Sequence, residues 1–240
     1  MRGTPIPVVP AATVSIHGRS EAFAVHRIYC IGRNFADHVK EMGYAAPTTA
    51  ERASPVFFMK PADAVVADGT LIPYPRGTRE LHHEVELVVA LGAGSDGTVD
   101  VADALKLVFG YSVGLDMTRR DLQSIAKSKG LPWDVAKGFD RSAPIASIVP
   151  LSVCGHPTDA LLSLKVNDRT VQSASLSEMI FSVTETLHEL SKLYDLRAGD
   201  LVFMGTPAGV GPLHPGDRYV ASVEGVTELH GGIADEKGSE

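Results

Sequence analysis

The sequence is poor in cysteine, in aromatic residues and in long apolar runs. Only two of its 240 residues are cysteine, Cys30 and Cys154, which are too few for a disulfide framework and form no Cys-x-x-Cys motif. This usage is typical of a reducing compartment, so we expect a cytoplasmic protein. Because no apolar run approaches the roughly 18–20 residues that cross a bilayer and residues 1–15 lack a signal-peptide core, we expect no membrane association.

Positive charge is also scarce. Lys and Arg number 22 against 29 Asp and Glu, which gives a net charge of −7. A balance this acidic argues against a nucleic-acid partner and against an anionic membrane surface. An anionic small molecule stays possible, because a local cluster of cations or a metal ion can reverse the field at one site. The 44% hydrophobic content is that of an ordinary globular protein.

Short β-type runs separated by glycine and proline predict a β-rich α+β fold rather than a doubly wound sheet. Helices are predicted at 35–44, 118–129 and 176–194, the last beginning with a capping box of Ser175 and Glu178. Strands are predicted at 26–32, 56–60, 71–73, 85–91, 109–116, 161–167, 201–204 and 218–223. Residues 1–25 are predicted to form an N-terminal arm before one catalytic domain, 26–240, and the polar loop 45–54 is predicted to be the hinge of a lid.

A glycine-rich stretch at 92–97 matches G-x-G-x-x-G, the fingerprint of dinucleotide-binding folds. Asp116 follows Gly97 by 19 residues, near the spacing of a ribose ligand. However, the helical segment after the motif is short, and the preceding strand carries two glutamates where a parallel sheet requires apolar residues. A glycine-rich hairpin turn is therefore favoured over a nucleotide site.

A second motif, Gly-Tyr-Ser-Val-Gly at 110–114, matches the nucleophile elbow of serine hydrolases. Downstream acids and bases that would complete a triad are Asp159, Asp195, His188 and His214. The elbow requires a sharp turn from strand to helix at Ser112, whereas the apolar stretch here continues past the serine. A strand with small residues at close-packed positions is favoured, and a serine hydrolase using Ser112 remains the outside alternative.

Carboxylates form the third candidate site. Glu84 and Glu86 stand two apart at the start of a strand and so share one face, and Asp116 closes another apolar strand. Three carboxylates without a thiolate suit Mg²⁺ or Mn²⁺ rather than zinc. A solvated sheet face is the alternative. His82 shares the glutamate face, either as a ligand for a softer metal or in a structural role.

Six segments, taken in this order, resemble the fumarylacetoacetate hydrolase family over about residues 26–235. They are YCIGRNFADHVKEMG (29–43), FFMKPADAVV (57–66), LHHEVELVVALG (81–92), GYSVGLDMTRRDLQ (110–123), KGLPWDVAKGFDRSAPI (129–145) and MGTPAGVGPLHPGD (204–217). The resemblance implies a mixed β-roll core with a divalent metal, and a homodimer. Within the family, the stretch GLDMTRRDLQ most resembles bacterial fumarylpyruvate hydrolases, with acylpyruvate hydrolases and oxaloacetate decarboxylases close behind.

The resemblance also implies roles for individual residues. By matching motifs, the implied metal ligands are Glu84, Glu86 and Asp116, the implied catalytic residues are Lys137 and the lid-helix pair His38 and Glu41, and the implied substrate contacts are Arg119, Arg120, Gln123 and Thr206. Taken alone, several of these would be ordinary surface or turn residues.

The implied reaction is hydrolysis of the C–C bond of an acylpyruvate, with fumarylpyruvate giving fumarate and pyruvate. The cation would act as Lewis acid and template, and Lys137 would stabilise developing enolate charge. His38, oriented by Glu41, would be the general base for water, and Arg120 or Arg119 would hold the far carboxylate of a fumaryl group. Oxaloacetate decarboxylation and a catalytically silent metal-binding homologue are the alternatives on the same scaffold.

Overall fold

The computed structural model describes residues 10–41, 43 and 54–235, and strands dominate it. The strands are β1 (Thr13–Ser15), β2 (Ala22–Ala24), β3 (Ile28–Gly32), β4 (Val56–Lys60), β5 (Val65–Ala67), β6 (Leu71–Ile72), β7 (Leu81–His83), β8 (Val85–Leu91), β9 (Val108–Leu115), β10 (Thr118–Arg119), β11 (Ala143–Ile145), β12 (Val149–Pro150), β13 (Leu161–Val166), β14 (Arg169–Ser175), β15 (Leu201–Phe203), β16 (Gly211–Pro212), β17 (Arg218–Val223) and β18 (Thr227–Ile233). The helices are α1 (Ala36–Glu41), α2 (Arg120–Lys129), α3 (Asp134–Lys137), α4 (Leu151–Cys154) and α5 (Val183–Ser191), with 3₁₀ turns at Ala62–Ala64, Ala104–Leu107 and Leu176–Glu178.

A mixed sheet forms the centre of the fold. Its strand order is β4-β3-β15-β8-β9-β11-β5, and β12 also pairs with β9. The pairs β3/β15 and β5/β11 are parallel, whereas the central neighbours of β8 run antiparallel to it. A second sheet, in the order β14-β13-β17-β18-β6, packs over one face of the first. This curled, mixed arrangement confirms the predicted β-rich α+β fold with short peripheral helices.

The central strand β8 is buried along its whole length. Alternate side chains point to opposite faces of a strand. Leu87 and Val89 belong to the large core shared with the five-stranded sheet, and Val88 and Ala90 belong to a second core on the other face. Burial on both faces explains why this antiparallel strand is a continuous apolar run after its acidic start.

The N-terminal segment closes the second core. β1 and β2 form a hairpin whose apolar side chains pack with Ile28, Cys30 and Phe203. The residues concerned are Val14, Ile16, Phe23 and Val25. The described part of the arm is therefore packed on the sheet, and its boundary at residue 25 stays a prediction. Cys30 and Cys154 are free thiols.

The long helix predicted at 176–194 is divided into two pieces. Its predicted capping box, Ser175 with Glu178, is present but begins only a 3₁₀ turn. Asn34 then accepts hydrogen bonds from the next two backbone N–H groups. Its backbone carbonyl accepts from Ile180 N, and its side-chain Oδ1 accepts from Phe181 N. Because these two N–H groups cannot also donate within a helix, the first helical segment ends there. Helix α5 begins at a second capping box, formed by Ser182 and Glu185.

Other predicted elements differ in extent. The helix predicted at 118–129 starts at Arg120, because Thr118 and Arg119 pair with β7. The helix predicted at 35–44 spans Ala36–Glu41 within the described residues, and 45–53, most of the predicted lid hinge, lies outside them. The long strands β14 and β18 were not predicted, nor were the short strands β2, β5, β7, β10, β11, β12 and β16. None of the helices that the structure describes is long and apolar enough to span a bilayer.

Candidate active site

Strand pairing brings the three carboxylates together. β8 and β9 are antiparallel with Glu86 opposite Gly114, and the backbone N–H of Asp116 donates to the carbonyl of Glu84 at 2.8 Å. Glu84 and Asp116 therefore lie side by side at one edge of the sheet, and Glu86 lies on the same face two residues from Glu84. All three side chains are buried, and their ligand atoms lie within 4.8 Å of one another.

Buried cations surround these carboxylates. Lys137, the last residue of α3, donates to Glu84 Oε2 at 2.7 Å, to Asp116 Oδ2 and to Thr118 Oγ1 at 2.7 Å. Arg120, at the start of α2, donates to Glu84 Oε1. The fully buried Lys60 lies behind Asp116, with 2.8 Å between its Nζ and Asp116 Oδ1.

Asp116 Oδ1 nevertheless accepts no hydrogen bond of good geometry. Lys60 is close enough for an ion pair, but its N–H groups point to the carbonyls of Met117 and Lys137. A buried carboxylate oxygen without an aligned donor is costly unless another positive partner satisfies it. This oxygen is therefore suited to a bound cation.

The electrostatics differ among the acids. Burial raises the pKa of Glu86 well above its usual value, and the neighbouring Asp116 and Glu84 carboxylates raise it further. Burial alone would also raise the pKa of Glu84, but Lys137 and Arg120 outweigh it and hold that pKa well below its usual range. For Lys137 burial is outweighed by Asp116 and Glu84, which raise its pKa. The group that lacks a cation partner is Glu86.

This donor set fits a hard divalent cation. Three carboxylates offer oxygen ligands only, as Mg²⁺ and Mn²⁺ prefer. A cation among them would relieve the repulsion that Glu86 experiences and would satisfy Asp116 Oδ1. The predicted ligand set of Glu84, Glu86 and Asp116 is thus brought together by the fold, and its metal-binding role stays a prediction.

His38 lines the same cavity and is paired with Glu41 behind it. His38 on α1 is buried, and 3.2 Å separate its Nδ1 from Glu41 Oε2. Glu41 also accepts from the backbone N–H of Gly209, which ties α1 to the loop after β15. Burial lowers the pKa of His38, against Glu84 and Glu41, which raise it, so the imidazole is neutral at pH 7. A neutral imidazole whose Nδ1–H is held by a carboxylate presents Nε2 as a base.

The loop after β15 contributes Thr206 and a backbone donor. The N–H of Gly205 donates to Glu86 Oε2 at 2.7 Å. Gly205 has φ 86°, and a Cβ there would lie 2.7 Å from the Cβ of Asn34, so both backbone conformation and space require glycine. Gln172, buried in β14, donates to Thr206 Oγ1 at 2.8 Å and accepts from the backbone N–H of Val85 at 3.1 Å. Gln172 thus fixes Thr206 beside the carboxylate strand.

The structure separates the two predicted arginines. Arg120 and Gln123 both line the cavity, and Arg120 Nη1 donates to Gln123 Oε1 at 2.5 Å. Arg119 does not line it: its guanidinium stacks 4.4 Å from the centroid of Phe139 and donates to the carbonyl of Val135. The expected contact between Arg119 and substrate is therefore not supported, because Arg119 belongs to β10 and points away from the face that Arg120 presents.

The cavity has a volume of about 30 Å³. It contains every predicted site residue except Arg119 and Glu41. The remaining residues of its wall were not predicted from the sequence. They are Ile31, Gly32, Arg33, Phe58, Lys127 and Trp133. Of these, Lys127 could have been predicted, because it follows Gln123 by four residues on α2 and so lies on the same helix face. His82 accepts from Arg120 Nε at 3.3 Å, which is a structural role.

The glycine-rich stretch at 92–97 forms bends at the start of the connection from β8 to β9, rather than the single hairpin turn that was predicted. It follows β8, which is antiparallel to both neighbours, and it leads into a 3₁₀ turn rather than a long helix. A Cβ on Gly92 would lie 2.9 Å from the Cβ of Phe109, and a Cβ on Gly94 would lie 2.7 Å from the carbonyl oxygen of Leu196. Close packing, rather than a phosphate, explains these glycines.

Ser112 is a strand residue and not a nucleophile elbow. It lies within β9 opposite Val88, is fully buried, and donates to the carbonyl of Ala146 at 2.9 Å. The flanking glycines admit close neighbours, since a Cβ on Gly110 would collide with the Val149 carbonyl and one on Gly114 with the Phe203 ring. The serine-hydrolase alternative lacks its required geometry.

We expect Ser112→Ala to leave the turnover number within about twofold of wild type, because only a structural hydrogen bond worth about 1 kcal/mol is lost. Steady-state kinetics at a temperature well below the melting point measure this. A loss of more than about a hundredfold would restore Ser112 as a nucleophile.

Residues 27–234 match the family model described as fumarylacetoacetate (FAA) hydrolase C-terminal. The chain belongs to the fumarylacetoacetate hydrolase family. Its fold resembles the crystal structure of fumarylpyruvate hydrolase from Pseudomonas aeruginosa in complex with Mn²⁺ and pyruvate, with 44% identity, a TM-score of 0.92, and coverage of 98% of this chain and 100% of that chain. The resemblance drawn from the motifs is therefore confirmed, and this protein is an enzyme of that family.

Other family members carry different activities. Mitochondrial oxaloacetate tautomerase FAHD1 of Bos taurus is 42% identical over 202 residues, which are 84% of this chain and 89% of that protein. A crystal structure of 2-hydroxyhepta-2,4-diene-1,7-dioate isomerase from Mycobacterium marinum has 31% identity and a TM-score of 0.76 over 90% of this chain and 77% of that chain. The family thus supports several reactions, and the choice among them depends on the site.

Proposed function

We propose that this protein is a divalent-metal-dependent hydrolase that cleaves the C–C bond of an acylpyruvate, with fumarylpyruvate giving fumarate and pyruvate. The observation that carries the proposal is one cavity that holds the Glu84, Glu86 and Asp116 cluster, the buried Lys137 and the base His38. The similarity to a fumarylpyruvate hydrolase with Mn²⁺ and pyruvate supports the same substrate class.

Mg²⁺ or Mn²⁺ held by the three carboxylates would supply Lewis-acid stabilisation of a 2-oxo acid. The charges of the protein suit this arrangement. Three carboxylates face three buried or nearly buried cations, Lys60, Lys137 and Arg120, so the side chains together are close to neutral. A divalent cation would bring the site to about +2, which matches a substrate that carries a carboxylate and a developing enolate.

His38 would act on water. A water molecule that attacks the C4 carbonyl of the acylpyruvate would give its proton to His38 Nε2 while Glu41 holds Nδ1. The C3–C4 bond then breaks, and its electron pair passes to C3 and the 2-oxo oxygen. The fumaryl group leaves as fumarate, and protonation of C3 gives pyruvate.

Lys137 would stabilise the charge that develops in this step. Its ammonium group is fully buried and fixed by Glu84, Asp116 and Thr118, so it needs little reorganisation as the enolate forms. Gln123 and Thr206 line the cavity and would position the substrate by hydrogen bonds. Arg120 would act mainly by holding Glu84 and Gln123.

Oxaloacetate is a second candidate substrate. The relatives named oxaloacetate tautomerases favour it, at up to 42% identity. Both its tautomerisation and its decarboxylation pass through the enolate of a 2-oxo acid, which the same Lys137 and carboxylates would serve. Decarboxylation requires neither attack by water nor removal of a C3 proton, so it places a smaller demand on His38, whereas tautomerisation needs a base for that proton.

A substrate panel tests the proposal. We expect the ultraviolet absorbance of fumarylpyruvate to disappear in Mg²⁺ or Mn²⁺ with formation of fumarate and pyruvate, and excess EDTA to lower the rate at least about tenfold. Acetylpyruvate and oxaloacetate serve as parallel substrates. No hydrolysis of either acylpyruvate, with turnover of oxaloacetate, would contradict the proposed reaction and favour the second candidate.

We further propose that the enzyme acts as a homodimer in the cytoplasm on small dicarboxylate or 2-oxo acid substrates, without a nucleic-acid or membrane partner. Strand β4 is an edge of the main sheet, and its Val56 and Met59 are 37% and 36% exposed beside the half-exposed Leu131. An apolar sheet edge of this kind suits a contact between two copies.

A further inference from the structure

Among the described residues, Lys127 is a cation that lines the cavity and has no acidic partner. Its ammonium group lies 5.3 Å from the centroid of Trp133, and no carboxylate lies within ion-pair distance of it in the part of the chain that the structure describes. Trp133 in turn packs on Phe58, with 5.8 Å between the ring centroids. The outer wall of the cavity thus combines the two aromatic rings of Phe58 and Trp133 with two cations, Lys127 and Arg33.

The arginine expected to hold a far carboxylate is already engaged. Arg120 directs Nη2 to Glu84, Nη1 to Gln123 and Nε to His82. Arg119 lies outside the cavity. Another group must therefore neutralise the end of a dicarboxylate substrate that is remote from the metal ligands.

Helix α2 places Lys127 at the right end of the cavity. Arg120, Gln123 and Lys127 follow at spacings of three and four, so they share one helix face. Lys127 lies seven residues beyond Arg120, about 10 Å along the axis at 1.5 Å per residue. A seven-carbon extended chain spans about 7–8 Å at ordinary C–C bond lengths. An acylpyruvate whose 2-oxo acid end lies at the carboxylates would thus bring its other end close to Lys127.

We propose that Lys127 binds the distal carboxylate of the acyl group and thereby gives the enzyme its preference for acylpyruvates that end in a second acid. This inference rests on the proposed function for the identity of the substrate. The flat faces of Phe58 and Trp133 would contact the carbon chain between the two ends.

The surroundings of Lys127 agree with an anion subsite. Burial lowers the pKa of Lys127 to about 8, and the positive charges of Arg120, Lys137 and Arg33 act in the same direction, against Glu84. The group is still mostly protonated at pH 7. Because its neighbourhood has an excess of positive charge, a bound carboxylate relieves repulsion there.

A pair of ligands of equal length tests the inference without turnover. 2-Oxopimelate and 2-oxoheptanoate have the seven carbons of fumarylpyruvate and differ only in the terminal carboxylate, and isothermal titration of the Mn²⁺-loaded enzyme measures both affinities. We expect Lys127→Met to weaken the binding of 2-oxopimelate about tenfold, as expected for loss of one charge-assisted hydrogen bond, and to change the binding of 2-oxoheptanoate less than about twofold. Lys127→Arg retains most of the preference.

Lys129→Met is the matched control, since Lys129 ends the same helix, is exposed and does not line the cavity. Equal weakening of both ligands by Lys127→Met, or no change in either, would overturn the inference. A wild-type enzyme that binds both ligands equally would overturn it as well. A wild-type enzyme that prefers 2-oxopimelate but hydrolyses no acylpyruvate would instead refute the proposed function and leave the subsite standing.

Discussion

Replacement of Glu86 by glutamine is expected to abolish metal-dependent turnover, by about a thousandfold or more, while leaving the metal-free protein at least as stable as wild type. Loss of one of three carboxylate ligands removes a large share of the affinity for a hard cation. The stability of the metal-free protein responds differently, because there the carboxyl of Glu86 is buried beside Asp116 and Glu84 without a cation partner. Removal of that charge relieves repulsion rather than breaking an ion pair.

The difference in stability between Glu86→Gln and wild type is expected to depend on pH. The pKa of Glu86 is higher in the folded protein than in the unfolded chain, because burial and two like charges raise it. The native state therefore binds more protons than the unfolded state above the ordinary glutamate pKa, and the free energy of unfolding falls as the pH rises through the folded value. Glu86→Gln removes this loss, so its advantage over wild type grows as the pH rises above the ordinary glutamate pKa.

Thermal unfolding with and without Mn²⁺ measures both effects. For a chain of this size 1 kcal/mol corresponds to about 2–4 °C in Tm. Wild type should gain about 2.7 kcal/mol when the metal is at a hundred times its Kd, and the variant should gain little. Exposed Glu224→Gln is the control and should behave as wild type. A metal-free variant several degrees less stable than wild type would show that Glu86 has a cation partner.

The carboxylate cluster was predictable because it depends on local rules. A Glu-x-Glu spacing at the start of a strand places two side chains on one face, and an aspartate at the end of an apolar strand needs a partner. What completed the cluster was the antiparallel pairing of β8 with β9, since that register sets Asp116 beside Glu84. Periodicity predicts the strands but not their pairing.

Lys137 and His38 were identified only through the family resemblance. Lys137 ends a helix of four residues, Asp134–Lys137, which is too short to show a periodic pattern. Its burial depends on contacts with residues far along the chain, Glu84 and Asp116. From the sequence alone, Lys137 would be expected on the surface, because lysine is rarely buried unless it is paired with an acid.

Gln172 shows the limit of local reasoning in another way. Strand β14 reads as a polar segment, RTVQSAS, and was not predicted as a strand. It forms because β13 provides the neighbouring ladder, and this pairing buries Gln172 next to Val85 and Thr206. A buried amide that satisfies several long-range partners leaves no spacing signal in the sequence.

Replacement of His38 by glutamine should separate hydrolysis from reactions that need no water. If His38 takes the proton of the attacking water, its loss lowers the rate of acylpyruvate hydrolysis by about 10² to 10⁴. Decarboxylation of oxaloacetate, where present in wild type, should fall less than about tenfold, because it needs no base to form the enolate and Lys137 and the carboxylates remain. Exposed His17→Gln is the control. Equal losses in both reactions would place His38 at the shared enolate instead of at the water.

Replacement of Glu41, the partner of His38, is expected to shift the pH profile of hydrolysis in a defined direction. The activity of a general base falls as the pH drops through its pKa, and burial sets the pKa of His38 below its usual value. Glu41 raises that pKa through its hydrogen bond, so Glu41→Gln should move the acidic limb of kcat/KM to still lower pH while reducing the maximum about tenfold. Because a purely structural role of Glu41 would lower the maximum without moving the limb, the shift itself identifies the carboxylate that orients the base.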